Sequence, residues 1–407
     1  MKKVAVIGGG LAGLATASAL KKDGYDVTVF ESDPELKGRG LGILMQPLGM
    51  SVLKKFGLAD EVLANGVRIN GMHTIKVGNN KVRDLSDIRY KDMEPEAFGV
   101  GIYRPKLYEI LLKNALELGV KINKGVSVED APLQEDGQRH IIGGADHKDL
   151  GGFDLVVDSS GYKSPVRAKY AQIERNEPYA QWYACFVCDD DLSLTSSFTD
   201  ATAQRFQAHQ SFITIPIGKD PVTGKNRVSF LWDMPANLNS KDFDLNAWKK
   251  SVIADIPEMK RYLDQITSPQ QVVKAHYSDV ALKNFNAEKL VFVGDAAHSN
   301  SPFLGQSTSM GFTDAFVLSK VLQREPDLQK ALQIYSDERK DHVKTEQGNS
   351  RMLVKVFHSA SVPVKIFRDW IMPFATKIPF VRKQTVTMTA RGEKSLKDSP
   401  LRKNYGI

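Results

Sequence analysis

Cysteine is scarce in this chain of 407 residues: there are two, Cys185 and Cys188. That excludes a disulfide-stapled secreted scaffold. No stretch reaches about 18 consecutive apolar residues, so a membrane-spanning helix is not expected. Internal repeats and low-complexity tracts are missing too. No second cysteine pair and no histidine cluster offers a zinc site, so no metal is expected. The first strand-like run begins at Lys3. That leaves no room for a signal peptide ahead of the fold, and a cytoplasmic enzyme is the expectation.

What is present is the balance of a globular protein. The chain is 42% hydrophobic and 25% charged, with a mean hydropathy of −0.29, which excludes disordered and fibrous classes. At about 100–200 residues per domain the length predicts two or three units. The net charge of +7 is uneven. Arg351 to Ile407 holds 12 Lys/Arg and 3 Asp/Glu, which is +9, so the other 350 residues carry about −2. Such a tail either solubilises the protein or draws it to an anionic membrane surface or an acidic partner. Nucleic acid is not among the expected partners.

Lys3 to Ile7 is a β-branched run bounded by Gly8-Gly9-Gly10. A helical pattern follows from Leu11 to Lys22, and a second strand ends at Glu31. Arg104 to Leu118 reads as an amphipathic helix and Asp154 to Asp158 as a buried strand. Roughly Glu177 to Pro235 alternates apolar and polar residues, with a turn predicted at Asp220–Gly224. Lys289 to Val293 returns to a buried-strand pattern, and Ser309 to Leu322 reads as helix. The chain after Pro326 is mostly helical to about Phe380. Arg391 to Ile407 is polar and expected to be loosely held. Met352 to Phe374 is apolar, includes Trp370 and is interleaved with Lys355, Lys365 and Arg368. It reads either as helices closing over the core or as an interfacial segment or lid.

Gly8-x-Gly10-x-x-Gly13 follows a strand and opens a helix, and Glu31 closes the next strand 18 residues after Gly13. Gly8 permits the tight turn, Gly10 lets a pyrophosphate approach the backbone, and Gly13 lets helix and strand pack closely. Helix N–H groups near Leu11 and Ala12 offer the phosphates donors and a positive dipole end. The Glu31 carboxylate suits the two hydroxyls of an adenosine ribose and repels a 2′-phosphate. The pattern therefore predicts FAD or NAD bound at the first βαβ unit.

Leu290-Val-Phe-Val-Gly294-Asp295-Ala-Ala-His298 ends a buried strand with Gly-Asp, and Pro302, Gly305 and Gln306 follow before a helix. With these residues the sequence resembles the flavoprotein monooxygenases of the p-hydroxybenzoate hydroxylase type, over about residues 1 to 345. The resemblance implies that Asp295 holds the flavin ribityl chain, that Gly294 lets it pass, and that the Gly305, Gln306 and Ser307 amides face the flavin pyrimidine end. Arg39-Gly40-Leu41-Gly42-Ile43 looks like the family segment lining the flavin, and Arg104 matches an Arg contacting the phosphate-ribose region. For Arg39 and Arg104 a solvated role is the other reading.

Two segments depart from the family. Ser160 stands where the family usually has Asp, although Gly161, Ser164 and Arg167 fit. Ser307 and Ser309 stand where Gly and Asn are usual. The Ser160 form resembles flavin-dependent halogenases and two-component relatives, which puts direct reduction by NAD(P)H in doubt. A halogenase is the weaker alternative, because the Trp-x-Trp-x-Ile-Pro segment is missing. Cys185-x-x-Cys188 lies in a strand-like run where the two side chains point to opposite faces, so it reads as structural. His298 reads as part of the flavin motif.

The expected fold is α/β: a Rossmann-type FAD-binding domain (1–172 and 270–345), an inserted antiparallel β-sheet substrate domain (173–269), and a helical, basic C-terminal region (346–407). The resemblance implies non-covalent FAD, NAD(P)H as transient electron donor, and O2 activated as a flavin C4a-hydroperoxide that oxygenates a small aromatic or apolar substrate. No protein nucleophile is required. Alternation makes Tyr183, His209, Phe212, Phe230, Trp232 and Met234 candidates for the substrate wall. The rival readings are a two-component epoxidase or halogenase fed by a separate flavin reductase, and a flavin or ligand carrier without turnover.

Overall fold

The β-branched Lys3–Ile7 strand is enclosed on both faces, with Val4, Ala5 and Val6 fully buried. It pairs in parallel with Asp26–Glu31 on one side and Leu155–Asp158 on the other. Lys121–Lys124 and Leu290–Phe292 extend this parallel layer, and Asn286–Ala287 closes one edge in the antiparallel sense. Burial on both faces explains why residues 4–7, residues 155–157 and Leu290–Phe292 read as continuous apolar runs, while the edge strand Lys121–Lys124 is polar and largely exposed. The helices Leu11–Lys22, Arg104–Glu117 and Ser307–Arg324 gather along the layer, the first packing on the other two. A three-stranded sheet (Val128–Asp130, Arg139–Gly143, Lys148–Phe153) packs on the layer through Phe153, whose ring meets Phe30 edge-on at 5.7 Å. The chain crosses over on both sides of the first strand, so a crevice opens at the carboxyl ends of Lys3–Ile7 and Leu155–Asp158.

This computed structural model describes residues 2–78, 81–190, 201–207, 210–359 and 361–407. The second, seven-stranded sheet runs Val273–Leu282, Ile173–Asp189, Asn226–Met234, Gln210–Lys219, Ala201–Gln207, Gly71–Gly78 and Lys81–Arg89. The turn expected at Asp220–Gly224 closes one of its hairpins: Asp220 Oδ1 accepts from the amides of Val222 and Thr223 at 2.9 and 2.8 Å. The sheet draws three strands from outside 173–269. Two of them, Gly71–Gly78 and Lys81–Arg89, join through a parallel pairing with Ala201–Gln207 that leaves no hairpin signal in the sequence. A short antiparallel sheet of Val67–Ile69, Gly99–Tyr103 and Gly42–Met45 bridges the two layers.

The C-terminal region is helical, led by Leu328–His358 and followed by Pro379–Arg391 and Pro400–Tyr405. The last residues are not loose as expected. Arg391 pairs with Glu393 at 2.7 Å and donates to the Ile407 carbonyl at 2.7 Å, while Leu401 and Ile407 are buried. Arg391, Glu393 and Ser399 turn inward to anchor the stretch, while Lys394, Lys397, Asp398, Arg402 and Lys403 stay exposed.

Candidate functional site

The glycine turn lies at the mouth of the crevice. Gly8 adopts φ +94°, and a side chain there would strike the Ser159 carbonyl. A Cβ on Gly13 would sit 1.9 Å from the Gly8 carbonyl oxygen, so this glycine serves the close packing of helix and turn. Gly10 differs: a Cβ there meets nothing within 4 Å, because it points into open cavity. Gly10 caps the Leu11–Lys22 helix without a side-chain acceptor, so the first helical amides face that space. The Glu31 carboxylate closes the far side, accepting from the Gly9 amide at 2.6 Å and the Asp33 amide at 2.7 Å. Gly8, Gly10, Leu11, Ala12, Glu31, Arg104, Ser160, Gly294, Asp295 and Ser307 all line this cavity of about 370 Å³.

A second cavity of about 330 Å³ shares Arg104, Asp295, Ser307 and Thr308 with the first. Gly42, Ile43, Pro302 and Gly305 line it on the nucleotide-layer side. Its roof is the large sheet, through Cys185, Ile215, Ser229, Leu231, Ala275 and Tyr277. Arg104 opens its helix between the two cavities, and its guanidinium donates to the Arg39 carbonyl. Asp295 is open to both cavities, and desolvation by the surrounding protein raises its carboxyl against the pull of His298 and Arg104. Burial lowers the Arg104 pKa, and Asp295 opposes the change.

Charged residues behind the Gly294–Asp295 turn hold it in place. Asp314 Oδ2 accepts from the Gly294 amide at 2.8 Å and pairs with His298 Nε2 at 2.6 Å. Its other oxygen pairs with Arg339 Nε at 2.6 Å. Burial alone would raise the Asp314 carboxyl, but the charges of His298 and Arg339 outweigh it and hold the group well below the usual carboxylate range. Arg339 Nη1 reaches His342 Nδ1 at 2.5 Å, and His342 Nε2 reaches the Arg391 carbonyl at 2.7 Å. Burial and the neighbouring Arg339 push the His342 pKa well down. Its partners fit a neutral ring that accepts at Nδ1 and donates from Nε2. His298 lines neither cavity and is a positioning residue for this turn.

The Pro302–Gly305 turn is tied from three sides. Gln46 Nε2 donates to the Leu304 carbonyl at 2.7 Å, Gln306 Nε2 donates to the Thr389 carbonyl at 2.5 Å, and Ser307 Oγ donates to Asn300 Oδ1 at 2.9 Å. Gln306 is therefore buried behind the cavity, not in its wall. Asn300 lines the second cavity and donates through Nδ2 to Glu346 at 2.5 Å. Ser160 is also engaged: its hydroxyl donates to Asp158 Oδ1 at 2.6 Å, and Ser164 donates to the other oxygen. Burial raises the Asp158 carboxyl, opposed by the two serines and Arg167. The loop lacks an acid at Ser160 but is built around one two residues earlier.

A model of the FAD binding domain matches residues 1–348. The chain belongs to this family of FAD-binding proteins. It is an FAD-dependent monooxygenase of the group A flavoprotein hydroxylase type, and so an oxidoreductase. Aurachin C monooxygenase/isomerase of Stigmatella aurantiaca is 26% identical over 418 residues, covering 98% of each chain. A 3-amino-4-hydroxybenzoate 2-monooxygenase of Streptomyces cremeus is 26% identical, covering 90% of each. Klebsiella pneumoniae HpxO, solved with FAD and uric acid, superposes with a TM-score of 0.80 at 19% identity, over 96% of this chain and 98% of that one.

The flavoprotein fold and the residues present fit FAD. The open cradle at Gly10, the free helix amides and the Glu31 carboxylate suit the adenosine and pyrophosphate end. The second cavity, joined to the first beside Asp295, has room for a ring system.

The large sheet corrects the expected substrate wall. Phe212, Phe230, Trp232 and Met234 lie on its opposite face, in a separate core with Trp182, Phe186 and Tyr262. Trp232 stacks on Phe212 at 4.4 Å there. The sheet is apolar on both faces, so alternation alone does not say which face is the cavity. Tyr183 lies on the cavity side but behind Tyr277, ring to ring at 5.6 Å. His209 lies outside the described residues. Arg39 is largely exposed and pairs with Asp33 at 2.7 Å, so its backbone, not its guanidinium, serves the site. Cys185 and Cys188 are free and buried on opposite faces, and burial pushes each thiol up to about 12. Sequence reasoning missed Tyr277, Leu231 and Asn300. The first two follow from strand alternation once the face is known.

Proposed function

We propose that this monooxygenase transfers an oxygen atom from O2 to a flat or apolar organic molecule seated in the second cavity, with NAD(P)H as transient electron donor. The observation that carries the reading is the joining of the two cavities at Arg104 and Asp295. One cavity suits a dinucleotide, and the other is roofed by Ile215, Leu231, Ala275 and Tyr277. The relatives named for aurachin C, 3-amino-4-hydroxybenzoate and urate act on flat ring systems of this kind. In the proposed division, 1–172 and 270–345 bind FAD, 173–269 supplies the substrate roof together with the Val273–Leu282 strand, and 346–407 braces both in a cytoplasmic protein.

Bound FAD supplies the redox chemistry and the activation of O2. The chain's own residues do the rest. Gly8, Gly10, Leu11, Ala12 and Arg104 bind the pyrophosphate, and Glu31 the ribose. Asp295 and Gly294 fix the ribityl chain, with Asp314, His298 and Arg339 positioning them. The amides at Gly305 and Ser307, which line the second cavity, would stabilise negative charge on a reduced flavin held there. The apolar sheet face would exclude water from the second cavity. Tyr277 and Asn300 orient the substrate.

A second reading, reduction by a separate flavin reductase, is favoured by Ser160. Anaerobic mixing with NADH or NADPH across a panel of aromatic compounds separates the two. Bleaching of the flavin, accelerated by substrate, supports direct reduction. Product formation only after a reductase or dithionite is supplied supports the second reading.

A further inference from the structure

The segment after the long helix is amphipathic in the wrong sense. Val362–Ile366, the wide turn Phe367–Ile371 and Met372–Ala375 form one continuous helical rod. Its inward face carries an ion pair. Arg368 and Asp369 are each 8% exposed, pair at 2.7 Å, and are joined by Lys76 from the large sheet at 2.5 Å. Its outward face carries the large apolar groups. Val362, Ile366, Trp370 and Phe374 recur every four residues, with Trp370 58% and Phe374 69% exposed. Ile378 and Phe380 continue the stripe, Phe380 at 76% exposure. A soluble helix buries its apolar stripe and exposes its charges. A contiguous exposed stripe of this kind marks a docking face.

The charges around the stripe decide the occupant. Lys355, Lys365, Lys377 and Lys383 are exposed along it. From Arg351 to Ala390 the one acid is Asp369, which is buried and paired. Pairing this face with a second copy would set lysines against lysines. The strand packed against this segment carries Asp84 and Asp87, which pair with His73 and Arg89, and Asp92 pairs with Arg382. An exposed apolar stripe with Trp and Phe, whose own segment exposes lysines and no acid, matches the headgroup boundary of an anionic bilayer: rings enter the acyl edge and lysines reach the phosphates. Among the described residues no helix is long and apolar enough to cross a membrane.

We propose that the 362–380 face lies flat on an anionic phospholipid surface and docks the enzyme there. Beneath the stripe, Phe303 stacks on Phe357 at 6.0 Å, next to the Pro302 that lines the second cavity. The docking does not depend on the substrate class or the electron donor proposed above.

The test is flotation of the FAD-loaded full chain with vesicles of phosphatidylcholine alone or mixed equally with phosphatidylglycerol. Binding to the mixed vesicles is expected, and it weakens as the Debye length shortens to about 8 Å near 0.15 M salt. Each lysine lost costs about five-fold in partitioning, so Lys365→Glu with Lys377→Glu removes binding by at least about 25-fold. Trp370→Ser with Phe374→Ser abolishes it too, while both variants keep their flavin absorbance, because none of the four side chains faces the cavities. Trp370 emission shifts to the blue on mixed vesicles. Equal partitioning onto the two vesicle types overturns the proposal. So does self-association that Trp370→Ser abolishes in a protein that ignores vesicles.

Discussion

Arg339 and Asp314, on consecutive helices, form an ion pair of 2.6 Å from which solvent is wholly excluded. The carboxylate uses its second oxygen on the Gly294 amide and His298, so the pair clamps the turn that presents Asp295 to both cavities. Removing Arg339 leaves one oxygen of the buried Asp314 carboxylate without its charged partner. Arg339→Met is expected to cost about 3–5 kcal/mol of stability and to lower flavin retention. Chemical denaturation of the apo and FAD-loaded forms measures both. A variant as stable as the parent would show that the clamp is dispensable.

The glycines of the turn should fail in different ways. At Gly10 the added side chain enters open cavity, so Gly10→Val should fold and lose FAD. At Gly13 even a methyl collides with the Gly8 carbonyl, so Gly13→Ala should unfold the turn itself. Far-ultraviolet circular dichroism alongside flavin absorbance distinguishes the two. Wild-type flavin affinity in Gly10→Val would dismiss the pyrophosphate assignment.

Restoring the family acid at Ser160 should do harm. Its hydroxyl donates to Asp158, so Ser160→Asp sets a second carboxylate against a buried one whose pKa is already raised. The expected outcome is a lower melting temperature that recovers as the pH falls, without faster reduction by NAD(P)H. Ser160→Ala, which removes one hydrogen bond, should cost about 1 kcal/mol. Faster anaerobic bleaching in Ser160→Asp would mean that the missing charge limits reduction.

Glu346 gives the fold a pH dependence. Burial raises its carboxyl from 4.5 to about 7, against His298 and the hydrogen bond from Asn300. Between these values the folded chain keeps a proton that the unfolded chain has released, so this group's contribution to stability falls as pH rises through the window. Glu346→Gln keeps an acceptor for Asn300 and removes the titration. Its advantage over the parent should grow by up to roughly 3 kcal/mol from about pH 5 to about pH 8. Parallel melting curves across that range would assign the pH dependence elsewhere.

The nucleotide layer was legible because its signals are local. A β-branched strand, a glycine turn, an amphipathic helix and Glu31 lie within the first 31 residues. The Gly294–Asp295 turn was legible for the same reason. The roof was illegible because Trp232 and Leu231 are both apolar neighbours in one strand, and only the packed sheet says which faces the cavity. The Asp314–Arg339–His342–Arg391 chain joins residues from separate helices. No spacing rule announces it, and it turns a tail that reads as loose into a brace for the site.

The central claim is that FAD held in the joined cavities inserts an atom of O2 into an organic molecule. Turnover with NAD(P)H and a ring-compound panel under isotopically heavy dioxygen tests it, with mass spectrometry of the products. The account predicts a product heavier by one labelled oxygen atom and dependent on bound FAD. Flavin reoxidation that returns all the label as hydrogen peroxide across the panel, even with a reductase supplied, would contradict it.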